Sequence, residues 1–213
     1  MVSIYDPCVS INQNSNGVWK FIYKFAYFFW FSDMKKLIFF FLLIVPLLLA
    51  ANYNRTKDFG HWIDADHDGE NTRTEVLKLY SVIPATVKNG HVIKGLWHTD
   101  YSQQYITDPS KLDIDHFVPL KEAYSSGADK WTEEKRIRFA NDYKNPPNEL
   151  VVVTAHYNRS KGAKDPSDWL PPYYPKEYMK HWILIKEKWN LCYDKKELNF
   201  LNKNGFHVTD LCK

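Results

Sequence analysis

Asp115 and His116 stand side by side in Asp113-Ile114-Asp115-His116-Phe117-Val118-Pro119, and Asn148 and Asn158-Arg159-Ser160-Lys161-Gly162 follow downstream. A carboxylate beside a histidine, with two later asparagines, supplies a hard-cation ligand, a general base, a positioning amide and a second oxygen ligand. Metal-assisted cleavage of a phosphodiester needs that set. Histidine suits the base because its unperturbed pKa, about 6.5, lies near neutral working conditions. An amide oxygen beside a carboxylate suits Mg2+, or Mn2+ in its place, better than zinc. Arg159 and Lys161 are placed to meet phosphate oxygens, arginine as a fork and lysine as a point charge, with Lys164 extending the patch.

These groups need elements to hold them. Helical periodicity is read at 72–80, at 120–126 with Gly127 as its stop, and at 132–141 with Thr132 as N-cap. Residues 149–153 are a β-branched strand. Thr154 then caps a short helix that runs to Lys161 and ends at Gly162 in a left-handed conformation. Prolines 166, 171, 172 and 175 mark a loop. A helix over 177–191 carries Tyr178, Trp182, Ile185 and Trp189 at helical spacing, and a last one over 195–204 stops at Gly205. The sum is one α+β domain, richer in helix than in strand. If 112–118 is extended, alternation sends Asp115 and His116 to opposite faces, so only one can point straight at a shared ion. That suits a division of labour in which Asp115 ligates and His116 takes a proton. Asn148, in the loop before the strand, is expected to hold the histidine loop through backbone hydrogen bonds.

The N-terminus has a different character. Met34-Lys35-Lys36, the apolar run 37–49 and Ala50-Ala51 read as a secretory signal peptide over 34–51. Met34 is then the expected true start, residues 1–33 an upstream extension that is not translated, and 52–213 the mature domain, outside the cell or in a periplasm. A membrane anchor is the alternative, because 21–31 is also apolar apart from Lys24; both runs fall short of the roughly 20 residues a spanning helix needs. In an oxidising compartment Cys192 and Cys212 are expected to pair, Cys8 lying in the leader. From residue 52 onward 24 Lys and Arg face 23 Asp and Glu. No global basic field announces nucleic acid, so binding rests on a local patch.

A second constellation competes. Asp64, Asp66 and Asp68, then Gly69, with Glu75 at the twelfth place, satisfy the EF-hand loop pattern for Ca2+. Only one such loop occurs and its eighth place is polar Asn71. An acidic turn whose Asn71 or Thr72 caps the next helix, with Glu75 completing the cap, explains the same residues. The tryptophans are open to two readings, base stacking or core packing, and the spacing of Trp182 with Trp189 favours packing.

Asp115-His116, Asn148 and Asn158, in that order on strand, loop and helix, resemble the ββα-metal site of HNH endonucleases. The resemblance extends to His61-Trp62-Ile63-Asp64-Ala65-Asp66, Asn71 to Leu77, Gly95-Leu96-Trp97, Ser126-Gly127-Ala128, Phe139-Ala140-Asn141-Asp142 and Asn158 to Trp169, as in secreted HNH nucleases with an extended domain. It covers residues 53–191. It implies a ββα-metal core within a mostly helical domain, with His116 as general base, Asp115 and Asn158 as metal ligands and Asn148 as the central positioning residue. It also suggests Arg73 as a contact to the scissile phosphate, where a local ion pair with Glu75 is the plainer role. Asn158 replaces the terminal histidine of the family name, which points the ion toward magnesium. The resulting expectation is a monomeric, secreted, metal-dependent endonuclease of low sequence specificity acting on DNA, or on RNA. A non-enzymatic calcium-binding module using 64–75 is the alternative.

Overall fold

The chain divides into two units, 1–51 and 52–213. The computed structural model describes residues 53–209, all in the second unit. The expected leader and Cys212 lie outside the described residues. Cys192 is disulfide-bonded.

Helices α1 (Arg55–Phe59) and α2 (Thr72–Leu79) come first, capped by the side chains of Asn54 and Asn71, which accept from Lys57 N and Thr74 N. Strands β1 (Thr86–Lys88) and β2 (His91–Lys94) form an antiparallel hairpin. Short strands β3 (Trp97–His98) and β4 (Tyr105–Ile106) form a second. The third sheet pairs β5 (Leu112–His116) with β6 (Leu150–Thr154), again antiparallel, Asp115 opposite Val151 and His116 opposite Leu150. Between them lie α3 (Leu120–Ser125) and α4 (Glu133–Ala140); after β6 come α5 (Ala155–Lys161), α6 (Pro175–Trp189) and α7 (Lys195–Lys203). The architecture is α+β, helices around small antiparallel sheets. Among the described residues no helix is long and apolar enough to cross a membrane.

The β5–β6 pair is buried on both faces. Leu112, Ile114, Leu150 and Val152 join Val76, Leu77 and Trp97 in one core. Val151 and Val153 join Phe117, Trp182, Ile185 and Phe59 in another. A two-sided position of this kind selects short, continuous β-branched strands such as Val151-Val152-Val153. Helix α5 packs against both strands, making a strand–strand–helix unit. The described tryptophans serve packing: Trp97 and Trp182 are fully buried, and Trp62, Trp131, Trp169 and Trp189 pack against the cores.

Two local expectations need correction. Thr154 occupies the N-cap of α5, but its side chain makes no capping bond. Gly162 ends that helix with φ 57° and ψ −127°, a positive φ but not the left-handed helical region.

The β1–β2 turn is Asn89-Gly90, with both φ positive (52° and 73°), as a two-residue hairpin requires. A Cβ on Gly90 would lie 2.6 Å from the carbonyl oxygen of Gly69, and the Gly90 carbonyl accepts from Thr74 Oγ1 at 2.6 Å. Gly90→Ala therefore both strains the turn and drives the hairpin off the 64–69 loop. We expect a loss of about 1–3 kcal/mol, read by urea unfolding.

Candidate active site

Alternation along β5 divides the site as expected. Asp113 and Asp115 face α5, and Ile114 and His116 face the other way. His116 is the last residue of the strand, and there it lines both of two cavities. One, about 230 Å³, is bounded by Asp115, His116, Asn158, Arg55 and Lys121. The other, about 130 Å³, is bounded by His116, Trp62, His61, Arg55 and Ala140.

His116 is 6 % exposed and fixed in two ways. Its ring stacks on Trp62, centroids 5.2 Å apart and planes 4° from parallel. Its Nε2 lies 2.9 Å from the Ala140 carbonyl oxygen. A carbonyl only accepts, so Nε2 carries the proton and Nδ1 keeps its lone pair. Burial, then the nearby Arg55 guanidinium, hold the imidazole deprotonated, down to about 3. The Ala140 carbonyl opposes this and Lys161 adds to it. The ring is a neutral, oriented acceptor at neutral pH, held well below the near-neutral value expected of a base from its residue type.

Asp115, 5 % exposed, receives two hydrogen bonds on one oxygen: from the Tyr101 hydroxyl at 2.8 Å and from Lys161 Nζ at 2.8 Å. Its other oxygen, Oδ1, takes no hydrogen bond among the described residues. Burial pushes this carboxyl up, and the Lys161 ammonium opposes it. Burial likewise raises Tyr101 well above the ordinary phenol range, so it remains a donor. On α5, Asn158 donates through Nδ2 to Asp113 at 3.0 Å, and its amide oxygen takes no hydrogen bond among the described residues. Asp113 was readable as a partner because residues two apart share a strand face.

Lys161 has a different task from the phosphate contact expected of it. Its side chain is 0 % exposed, and Nζ donates to Asp115 and, at 2.7 Å, to the His116 carbonyl. It holds the Asp-His corner from within and does not reach solvent. Arg159 is exposed, and Lys164 donates to the Ser160 carbonyl.

Among the described residues Asn148 makes no hydrogen bond to the histidine loop. It donates to the Tyr80 hydroxyl at 2.7 Å, and its carbonyl accepts from His181 Nε2 at 2.8 Å. Its neighbour Glu149 holds the loop instead. The Glu149 carbonyl accepts from Phe117 N at 2.7 Å and its carboxyl from Val118 N at 3.3 Å. Fully buried, Glu149 is pushed well above the usual carboxyl range by desolvation. Asn141 organises the other wall. It bonds to His61 O, Ile137 O, Ile63 N and Thr72 Oγ1, tying the Trp62 segment to the Ala140 carbonyl that fixes His116. Sequence reading missed Glu149 and Asn141 as organisers, Tyr101 as a donor and Trp62 as the stacking partner.

Arg73 lines neither cavity. Its Nη2 donates to the Leu112 carbonyl at 2.9 Å and the Pro109 carbonyl at 3.4 Å, which anchors the start of β5 to α2. Of the EF-hand set, Asp64, Asp66 and Asp68 gather, with ligand atoms all within 4.8 Å of one another. Glu75 does not join them; it accepts from the Tyr143 hydroxyl and, at 3.4 Å, from Lys144. The twelfth-place carboxylate is thus engaged elsewhere, and Asn71, not Thr72, caps the following helix.

Asp115, His116 and Asn158, with their strand–strand–helix frame, fall within a span that matches a known family. Residues 72–203 match the model for "GmrSD restriction endonucleases, C-terminal domain", more than half the chain. The chain belongs to this nuclease family. It is also similar to an "Uncharacterized secreted protein" of the fungus Arthroderma benhamiae, 38 % identical over 141 residues that cover 65 % of this chain and 67 % of the relative. No solved structure matches the chain significantly.

Proposed function

We propose that the chain is a secreted, metal-dependent endonuclease of the HNH type that hydrolyses phosphodiester bonds of DNA with low sequence specificity. The observation that carries this reading is the convergence of Asp115, His116 and Asn158 on one cavity, with His116 Nδ1 unprotonated. Membership of a nuclease family supports the substrate class, and the apolar leader together with a relative named as secreted supports the location.

The donor set fits a hard divalent cation. Asp115 and Asn158 line the same cavity, both offer oxygen ligands, and among the described residues neither Asp115 Oδ1 nor the Asn158 amide oxygen takes a hydrogen bond. A bound Mg2+ or Mn2+ would neutralise negative charge on the phosphoryl and leaving oxygens. The remaining work belongs to the chain. His116 Nδ1 takes a proton from water, whose oxygen forms the new bond to phosphorus as the bond to the leaving oxygen breaks. Lys161 and Tyr101 hold Asp115 in place, and Glu149 fixes the loop after His116. Trp62 holds the imidazole plane, so Trp62→Ala should lower kcat by about 10-fold, because a loosened base leaves the productive geometry, with KM nearly unchanged in steady-state cleavage of a labelled duplex.

The purified mature chain, incubated with plasmid DNA and with structured RNA across Mg2+, Mn2+, Ca2+ and Zn2+, tests the reading. Cleavage with Mg2+ or Mn2+ supports it, and inertness toward both substrates with every metal sinks it.

The alternative, a calcium module on 64–75, has the gathering of three aspartates in its favour and the engagement of Glu75 against it. Calorimetric Ca2+ titration of the wild type against Asp64→Ala distinguishes them. Stoichiometric binding lost in the variant, in a chain that cleaves nothing, would favour the module.

A further inference from the structure

The expected phosphate ligands leave the site without a cation facing its cavities. Lys161 is buried against Asp115, Arg73 is held by backbone carbonyls, and Arg136 donates to the carbonyls of Asp58, Ala128 and Trp131. Arg159 is exposed but borders neither cavity. Two cations remain at the openings, Arg55 and Lys121, and only Arg55 lines both cavities.

The geometry points to Arg55 as the residue that grips the substrate's scissile phosphate, a role that rests on the nuclease reading of the site. The Arg55 side chain is exposed and forms no ion pair or hydrogen bond among the described residues. Its guanidinium is close enough to His116 to be the leading charge acting on that ring. The base and the cation therefore face a common space, where a phosphate between them would sit beside attacking water. An unpaired guanidinium offers forked donors to two phosphate oxygens, which a lysine does not.

The backbone under Arg55 is rigid enough to aim it. Helix α1 is anchored by Phe59, which is fully buried, and by Arg136 Nε donating to the Asp58 carbonyl at 2.7 Å. Tyr53, two residues earlier, packs edge-on against Tyr124 at 5.4 Å. Lys121, at the mouth of the larger cavity, is placed for a neighbouring phosphate. Arg55 precedes the span matched by the family model. A nearly neutral domain with so few cations at its site should show a shallow salt dependence of binding, since each phosphate contact adds roughly −0.9 to the slope of log K against log salt.

Two readouts test the assignment. In chelator, the chain carrying His116→Ala is titrated with a fluorescent DNA duplex across salt concentrations, with and without Arg55→Ala. The added substitution should weaken binding about 10-fold for any sequence and flatten the salt slope by about 1, while Arg55→Lys retains the slope. In the otherwise native chain with Mg2+, Arg55→Ala should lower kcat/KM by about 10²-fold or more, as loss of a transition-state donor does. Melting temperature should be unchanged, because the Arg55 side chain makes no hydrogen bond or ion pair among the described residues. If the native chain cleaves and Arg55→Ala leaves slope and kcat/KM within twofold, the assignment is overturned and the nuclease reading stands. If the native chain cleaves nothing but Arg55→Ala still flattens the slope, hydrolysis falls and the phosphate contact stands. Failure to cleave and to bind DNA overturns both.

Discussion

His116→Ala should lower kcat/KM for duplex cleavage by about 10²- to 10⁴-fold, the range a positioned general base contributes, while the far-UV circular dichroism of the folded chain persists. The reason is specific to the ring. Trp62 fixes its plane and the Ala140 carbonyl fixes its tautomer, so one nitrogen is left as acceptor. The same substitution should change the acid limb of stability. The folded pKa of His116 is depressed to about 3, below the unfolded value near 6.5, so the unfolded chain binds more protons between those limits. Stability therefore falls as pH drops from 6.5 toward 3. Urea midpoints across that window should fall less steeply in His116→Ala than in the native chain.

Lys161→Ala should be the most destabilising change at the site. The lysine is fully buried and paired at 2.8 Å to a carboxylate that is itself 5 % exposed. Removing the cation leaves Asp115 as an uncompensated buried charge, a loss of about 3–5 kcal/mol, and frees the His116 carbonyl from its second anchor. The outcome depends on the cation proposed for the cavity. A divalent ion ligated by Asp115 restores compensating charge, so Mn2+ should recover part of the lost melting temperature in Lys161→Ala and none in Asp115→Asn/Lys161→Ala. Thermal unfolding with and without Mn2+ reads both. A variant as stable as the native chain in chelator would show that the buried pair does not hold the corner together.

Much of the frame was legible because its signals are local. Val151 to Val153 declare a buried strand, Thr132 and Gly127 declare a helix start and stop, and Asp115 beside His116 at a strand end declares opposed faces. Their positions in the structure follow those signals within a residue or two. The Asn89-Gly90 hairpin carries an equally local signal, a dipeptide suited to two positive φ angles, that sequence reading did not use. What escaped was decided by tertiary placement. Lys161 and Arg159 sit two residues apart on a short helix, and only packing against β5 shows that one is buried and the other exposed. Asn148 and Glu149 are neighbours, yet strand pairing gives the histidine loop to Glu149. Arg55 lies some sixty residues before His116, in a short helix of no chemical signature, and nothing in spacing links them. The aspartate loop shows the opposite failure: its pattern is strong, but Tyr143 captures the glutamate that the pattern needs.

The central claim is that His116 and a metal bound beside it act together on a phosphodiester. Supercoiled plasmid incubated with the native chain and with His116→Ala, each in Mg2+ and in chelator, tests it most directly. Nicked and linear products should appear only with the native chain in Mg2+. Cleavage that survives both the chelator and the substitution would contradict the mechanism.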